Sequence, residues 1–220
     1  MLLQLAFQDF GMFFVILIAI VTALTFHEYA HAFVANMLGD KTAEHMGRMT
    51  LNPIAHIDPW GLLMVLLVGF GYAKPVPYNP RFLKHPRRDS VYIGIAGPLS
   101  NILLASLFAI AMRFVDPDLV FLRTGASSSL LEPFLLFGMW INIALAVFNL
   151  LPIPPLDGSK LLIALLDKPK HARTLHFIER NGPMLLLVVI AVDLFGGIGF
   201  FSAIFNALGS IFLRLFGFPV

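Results

Sequence analysis

The sequence predicts an all-α polytopic membrane protein with about five to six transmembrane helices. Of its 220 residues, 58% are hydrophobic and only 13% are charged, whereas soluble domains carry about a quarter charged residues. Long apolar runs recur along the chain, and about 20 apolar residues suffice for a helix to cross a bilayer. The net charge of +2 is too small to indicate a nucleic-acid partner, and the absence of cysteine excludes a thiolate metal site.

Four apolar regions contain the predicted spans. The first runs from Phe10 to Leu38 and is not a cleavable signal peptide, because no basic residue precedes it and the run is too long. The next two are Val91–Val115 and Phe134–Leu151. The fourth, Pro183–Phe218, is long enough for two short helices or for one spanning helix followed by an interfacial one.

A shorter apolar segment, Trp60–Gly71, lies between the first two spans and is too short to cross the membrane as a helix. We expect it to be re-entrant or interfacial. The preceding residues, Lys41–Asp58, alternate loosely in polarity, which is typical of one or two short strands. The sequence therefore predicts a short membrane-associated β-hairpin or re-entrant segment here.

Basic residues set the expected orientation, because they concentrate in cytoplasmic loops. Lysine and arginine are frequent in the Lys41–Arg88 and Pro152–Gly182 regions. The Asp116–Pro133 loop has a single basic residue, Arg123. This distribution places the N-terminus outside and those two basic loops in the cytoplasm. The expected location is the cell membrane, the inner or plasma membrane.

The first span contains three ionisable residues in the motif HEYAH: His27, Glu28 and His31. Ionisable side chains inside a spanning helix are costly and are candidates for function. Histidines four residues apart share a helix face and can bind one metal ion, and the adjacent glutamate can reach a water molecule there. The alternative is that both histidines are core residues that hydrogen-bond between helices.

A catalytic zinc ion takes three protein ligands, so a third ligand is expected at a similar depth. Asp157 follows the third span in NLLPIPPLDG, where prolines prevent a regular helix and Gly158 permits an unusual turn. Asp157 could equally cap the next helix, and spacing alone leaves both roles open. Asp193 is expected nearer the outer face, and His56 and Asp58 would at most support the site.

Asparagines in the apolar helices have two possible roles. Asn149, near the end of the third span, could donate a hydrogen bond to the oxyanion of a tetrahedral intermediate. It could instead form an interhelical hydrogen bond, the role expected for Asn101 and Asn142. The small residues of AGPLSN, residues 96–101, are mainly a signal of close helix packing.

Four motifs together resemble the site-2 protease family of intramembrane zinc metalloproteases: HEYAH, GRMTLNPIAHIDPWG, AGPLSN and NLLPIPPLDG. The resemblance covers roughly residues 11–166 and favours metal ligation over capping for Asp157. It implies a three-helix catalytic core made of the first three spans. It also implies one Zn²⁺ per chain held by His27, His31 and Asp157, with Glu28 as general base and acid and Asn149 binding the scissile carbonyl.

The resemblance also implies a domain organisation and a substrate class. Residues 1–166 would form the metalloprotease core, and residues 167–220 would add C-terminal helices to the same membrane domain. No segment is long enough for a PDZ or nucleotide-sensing domain, as in the small bacterial or archaeal members. The substrate would be a transmembrane protein or peptide, cut in or near its membrane segment for regulated proteolysis or fragment clearance. The lipid bilayer is the other expected partner; the sequence does not determine the oligomeric state.

Two other functions are compatible with these residues. A divalent-metal transporter could use the HEYAH residues and Asp157 as a transit site, although transport favours ligands spread along a path and the sequence shows one cluster. A non-catalytic homologue would not need Glu28. For a protease, we expect Lys41–Asp58 and Trp60–Tyr72 to clamp an unwound substrate by edge pairing.

Overall fold

The structure is a computed structural model that describes residues 2–68, 71–127 and 129–218. These residues form helices, turns and extended segments, and they contain no strand. The α-helices are α1 (Leu2–Gln8), α2 (Phe10–Met37), α3 (Thr42–His45), α4 (Pro59–Val68), α5 (Pro86–Val115), α6 (Val120–Thr124), α7 (Leu131–Asn149), α8 (Ser159–Leu166), α9 (Ala172–Gly196) and α10 (Phe200–Leu215). Short 3₁₀ turns lie at Pro53–Ala55, Pro80–Phe82 and Pro169–His171.

Four helices in the described residues are long and apolar enough to cross a membrane: α2, α5, α7 and the Ala172–Asp193 part of α9. The prediction of a helical membrane protein is confirmed by this composition. α10 has 16 residues, which is a length of about 24 Å and less than the thickness of a typical hydrocarbon core. The expected count of five to six spans is therefore not confirmed.

Helices α2, α5 and α7 form the core of the fold and pack on one another. Fully buried alanines on α2, including Ala19, Ala23 and Ala32, allow this close approach. Between α5 and α7, a Cβ atom on Gly138 would lie 2.7 Å from the ring of Phe108. Small residues at helix contacts are how membrane helices gain packing, since apolar burial gives little advantage in lipid.

Acidic side chains begin two of these helices. The carboxylate of Asp9 accepts a hydrogen bond from the Met12 amide at 2.9 Å and so caps α2. In α5, Pro86 occupies the first turn, where its missing N–H costs nothing. The Asp89 carboxylate accepts from the His85 amide at 2.9 Å, which satisfies a donor at the start of that helix.

The predicted strands in Lys41–Asp58 are not confirmed. The described residues there form α3 and the Pro53–Ala55 turn. Asn52 explains the turn, because its side chain accepts from the Ile54 amide at 3.1 Å. Pro53 has no N–H to give to a strand partner. Local side-chain bonds therefore outcompete the alternating pattern.

The Trp60–Gly71 segment is mostly helix α4, and its residues 69 and 70 lie outside the described residues. After α4 the chain returns, because a Cβ atom on Gly61 would lie only 1.9 Å from the Tyr72 carbonyl oxygen. A Cβ atom on Gly71 would likewise lie 2.2 Å from the Gly61 carbonyl oxygen. The segment is therefore a hairpin made of a helix and an extended segment.

Helix α10 runs antiparallel to α7. Near its start, the Phe201 ring lies 5.9 Å from the ring of Phe148, at the C-terminal end of α7. Near its end, Leu213 packs in the apolar cluster that includes Leu135, at the N-terminal end of α7. Consecutive contacts along the two helices therefore fix their relative direction.

Asp193 lies at the same end of the core as the start of α10, because its carboxylate accepts from the Phe200 amide at 2.5 Å. The sequence predicted a position nearer the outer face; the contact between Phe201 and Phe148 places Asp193 near the C-terminal end of α7. Hydropathy could not show this position, since it depends on where α9 and α10 meet. The role of Asp193 is to cap α10.

Thiol crosslinking tests the direction of α10, because the chain contains no cysteine of its own. The double variant Phe148→Cys, Phe201→Cys should crosslink efficiently with a short bifunctional thiol reagent. The matched pair Leu135→Cys, Phe201→Cys should not, since those positions lie at opposite ends of α7. Gel mobility after protease cleavage of an engineered loop site reports the crosslink; a reversed pattern would contradict the antiparallel arrangement.

Candidate metal centre

Helix α2 presents His27, Glu28 and His31 to the interior, and all three side chains are buried. Residues four apart lie on one face of a helix. The two imidazole rings accordingly meet edge to face, with centroids 4.6 Å apart. The helical period thus brings two metal-binding side chains together without any tertiary contact.

Asp157 joins the two histidines. Its Oδ2 atom lies 3.1 Å from Nε2 of His27 and 3.3 Å from Nε2 of His31. The two Nε2 atoms are 3.0 Å apart. The structure therefore brings the three residues that the sequence nominated as ligands to a common point, where one ligand atom from each can face the same ion.

The loop after α7 carries Asp157 to this point. The Gly158 amide donates to the Asn149 carbonyl at 2.7 Å, and a Cβ atom on Gly158 would lie 2.1 Å from the Leu150 carbonyl oxygen. The φ angle of Gly158 is −59°, which any residue can adopt. The glycine is therefore needed for the close approach to the Leu150 carbonyl, and not for the unusual turn that the sequence predicted. No side chain caps α8, and the Asp157 carboxylate faces the histidines.

The charge of this cluster favours a cation. Burial alone raises the pKa of Asp157, but the neighbouring imidazoles of His27 and His31 offset that effect and hold the pKa below its usual range. Asp157 is therefore an anion at neutral pH. Its Oδ2 has no hydrogen-bond partner in the described part of the chain beyond these close imidazoles. A carboxylate oxygen and two ring nitrogens at this spacing fit a divalent metal ion.

Helix α5 holds the outer edge of both rings. Nδ1 of His27 lies 2.7 Å from Oδ1 of Asn101, and Nδ1 of His31 lies 2.6 Å from the Ile93 carbonyl oxygen. The sequence predicted an interhelical hydrogen bond for Asn101, which the structure confirms, but it predicted no contact with His27. Its polar side chain inside an apolar helix was the available signal, but nothing in the sequence identified His27 as its partner.

Gly97 is a second residue whose role the sequence did not reveal. A Cβ atom there would lie 2.4 Å from Nε2 of His31 and 2.6 Å from Cε1 of His27. The motif AGPLSN therefore leaves space for the two rings, beyond its expected role in helix packing. Pro98 follows, and it has no N–H to donate to the carbonyl of Gly94, four residues earlier in α5.

Glu28 contacts an extended segment, residues 71–79, which we name the arm. Its Oε2 accepts from the Val76 amide at 2.9 Å. Buried Arg48 donates to the carbonyls of Lys74 and Pro75. The Asn79 amide donates to Asp40 at 2.6 Å. Charged side chains thus satisfy backbone groups of the arm that a sheet would otherwise satisfy.

The remaining nominated residues lie elsewhere. The Asn149 side chain donates to the Leu145 carbonyl of its own helix at 3.0 Å. The buried His56 ring lies 2.8 Å from the Thr50 carbonyl through Nε2, and Asp58 accepts from the Trp60 amide and so caps α4. His56 and Asp58 therefore organise the loop before the arm and do not join the metal cluster.

A sequence profile described as peptidase family M50 matches residues 14–128 and 117–189, which is most of the chain. The chain belongs to peptidase family M50. This is the family of the site-2 proteases, so the resemblance found in the sequence motifs is confirmed.

Similar proteins support the assignment of this M50 chain. It is 40% identical to YwhC of Bacillus subtilis, over 81% of each chain. It is 31% identical to Rip2 of Mycolicibacterium smegmatis, over 82% of this chain and 68% of that protein. A relative from Methanocaldococcus jannaschii is 33% identical over 68% of this chain and 70% of its own length. No solved structure matches the chain with significance.

Adding one methyl group to Gly97 should weaken metal binding at the candidate site. In Gly97→Ala the new Cβ would collide with both imidazole rings. We therefore expect zinc affinity to fall by about tenfold or more, as it does when residues that orient metal ligands are changed. Metal analysis of the purified protein measures this. Gly196→Ala is the matched control, because its Cβ has only ordinary contacts at 3.8 and 3.9 Å. Full zinc content in Gly97→Ala would contradict the site geometry.

Proposed function

We propose that this M50 protein is an intramembrane zinc metalloprotease that hydrolyses peptide bonds in or near transmembrane segments of other membrane proteins. The observation that carries the proposal is the meeting of His27, His31 and Asp157 at one buried point beside Glu28. Family membership supplies the reaction class, a peptidase. The apolar helices that hold these residues supply the setting, because the nominated site lies inside the helical core and not on an appended domain.

Zinc is the metal that these residues fit best. Two imidazoles and one carboxylate leave a fourth position open, which is the arrangement of catalytic zinc sites. The relatives named above bear zinc metalloprotease names, which supports the same metal here. A bound zinc ion supplies Lewis acidity, which polarises a carbonyl and makes water more acidic.

Glu28 would act as general base and acid. Its position next to His27 on α2 puts the carboxylate beside the metal ligands and not among them. It would take a proton from the attacking water and later deliver one to the leaving amide nitrogen. Oε2 is held by the Val76 amide, so the arm fixes the orientation of the carboxylate while its second oxygen can face the substrate.

Asn149 would stabilise the oxyanion of the tetrahedral intermediate. It lies on the last turn of α7, and its carbonyl accepts from Gly158, the residue after Asp157. Its amide donates to Leu145 in the free protein, so its side chain would rotate toward the substrate on binding. Apo geometry of this kind is common for groups that act only in the transition state.

The membrane arrangement completes the proposal. The basic loops would face the cytoplasm, with the N-terminus outside, in the cell membrane. Residues 1–166 would form the proteolytic core, and residues 167–220 would belong to the same membrane unit. The substrate would be a transmembrane protein that unwinds, because a helical peptide bond is shielded and hydrogen-bonded. The substrate would bind beside the arm. The arm would thus take the role that was expected of strands in Lys41–Asp58.

The variant Glu28→Gln tests the function. It should retain the zinc content of the wild type, and its cleavage rate should fall by about a hundredfold or more, which is the usual contribution of a general base. Purified wild type and variant would be compared by metal analysis and by cleavage of a panel of single-span substrates. Asp157→Asn is the companion variant, and we expect it to lose both zinc and cleavage.

Each rival function has its own outcome in the same experiment. A transporter would move zinc into proteoliposomes and show no cleavage in either protein. A non-catalytic homologue would bind substrate without cleaving it. Equal cleavage by wild type and Glu28→Gln would remove Glu28 from the mechanism.

The arm gives a second test. In Val76→Pro the backbone N–H that holds Glu28 is absent, so the carboxylate is displaced. A displacement of about 1 Å from the reacting groups costs about a hundredfold in rate, and we expect that loss with zinc content unchanged. Val76→Ala keeps the N–H and should cleave at nearly the wild-type rate. Equal activity of the proline and alanine variants would show that the Val76 amide does not matter.

A further inference from the structure

A chain of three hydrogen bonds crosses the core from α7 through α5 to α2. The Asn142 amide nitrogen donates to the Gly138 carbonyl at 2.8 Å. The Asn101 amide nitrogen donates to Oδ1 of Asn142 at 2.7 Å, and Oδ1 of Asn101 lies 2.7 Å from Nδ1 of His27. Both asparagine side chains are 0% exposed, so no water competes for these bonds.

Backbone carbonyls fix the direction of this chain. The Asn101 nitrogen also donates to the Ala23 carbonyl at 3.1 Å, and a carbonyl oxygen can only accept. Both amide nitrogens must therefore face carbonyls, which leaves Oδ1 of Asn101 opposite His27. Reversing the Asn101 amide would set its oxygen against both the Ala23 carbonyl and Oδ1 of Asn142. His27 can then satisfy Asn101 only by donating a proton from Nδ1.

We propose that Asn101 and Asn142 are positioning residues that hold His27 as the tautomer with its proton on Nδ1. A neutral imidazole has one donor and one acceptor nitrogen, so this tautomer carries its free electron pair on Nε2. That atom faces Nε2 of His31 and Oδ2 of Asp157. The inference rests on the proposed function, because it is this electron pair that would bind zinc.

The two histidines are held in different ways, which explains why two asparagines are needed. His31 donates to a backbone carbonyl, that of Ile93, which the helix itself keeps in place. The partner of His27 is a side-chain amide, which can rotate about its own bonds. Asn142 removes that freedom, since it accepts from Asn101. Asn142 therefore acts on His27 through Asn101.

A purely structural role for the two asparagines makes a different prediction. An amide pair between membrane helices can serve packing alone. Replacing both partners of a buried hydrogen bond by apolar groups of similar shape is nearly neutral for stability. The double variant Asn101→Leu, Asn142→Leu should therefore still fold, but it leaves Nδ1 of His27 without its acceptor. This variant separates packing from positioning.

The experiment uses the full chain purified in detergent, with two measurements that do not depend on activity. Zinc affinity is measured by competition with a chelator. The tautomer of His27 is read from ¹⁵N spectra of metal-free protein with labelled histidine, the signals being assigned with His27→Gln. The variants are Asn101→Leu, Asn142→Leu, the double variant and Asn101→Asp. Asn181→Leu is the control, because this half-buried residue of α9 donates to the Phe177 carbonyl of its own helix.

We expect Asn101→Leu and the double variant to lose about 10–100-fold in zinc affinity and to show mixed tautomers of His27. Asn142→Leu should show a smaller loss in the same direction. Asn101→Asp should bind zinc more tightly than Asn101→Leu, because a carboxylate still accepts from Nδ1. Asn181→Leu should match wild type in both measurements.

The positioning role of Asn101 and Asn142 is overturned if the folded double variant keeps wild-type zinc affinity and a single Nδ1–H tautomer of His27. It is also overturned if metal-free wild type shows the proton of His27 on Nε2. A wild-type protein that binds no zinc would instead contradict the proposed function. In that case the metal-free spectra of wild type and the double variant still decide whether the asparagines set the tautomer.

Discussion

Three electron-rich atoms lie within about 3 Å of one another in the interior of this helical core: Nε2 of His27, Nε2 of His31 and Oδ2 of Asp157. Such atoms repel one another unless a positive charge lies between them, and burial removes the water that would screen the repulsion. A shared proton or a metal ion can supply that charge. The surrounding structure is arranged so that the electron pairs, and not protons, converge there.

Each of the three core helices makes one contribution to this arrangement. Helix α2 carries both histidines and Glu28 on adjacent positions of a turn. Helix α5 carries the two acceptors, the Ile93 carbonyl and Asn101, and has no side chain at Gly97 where the rings need space. Helix α7 ends just before the irregular loop that brings Asp157 back. The candidate site residues and the packing of the core therefore cannot be separated.

Irregular backbone next to a membrane core requires partners for its N–H and C=O groups. The arm obtains them from charged side chains: Arg48 for two carbonyls, and Glu28 and Asp40 for two amides. This solution keeps an extended segment beside the metal cluster without a sheet. It also couples the position of the arm to the orientation of Glu28, because the Val76 amide donates to the Glu28 carboxylate.

The sequence alone determined the helical membrane class, the apolar spans and the face of α2 that carries both histidines, because composition, apolar run length and the helical period express these features locally. The three-helix core, and the preference for ligation over capping at Asp157, were implied by the family resemblance. Only the tertiary structure decided which atoms support that face: the partner of Asn101, the space at Gly97, the arm beside Glu28 and the end of the core at which Asp193 lies. These depend on contacts between residues far apart in the chain, and a single sequence records the polarity of a side chain but not the identity of the group that it meets.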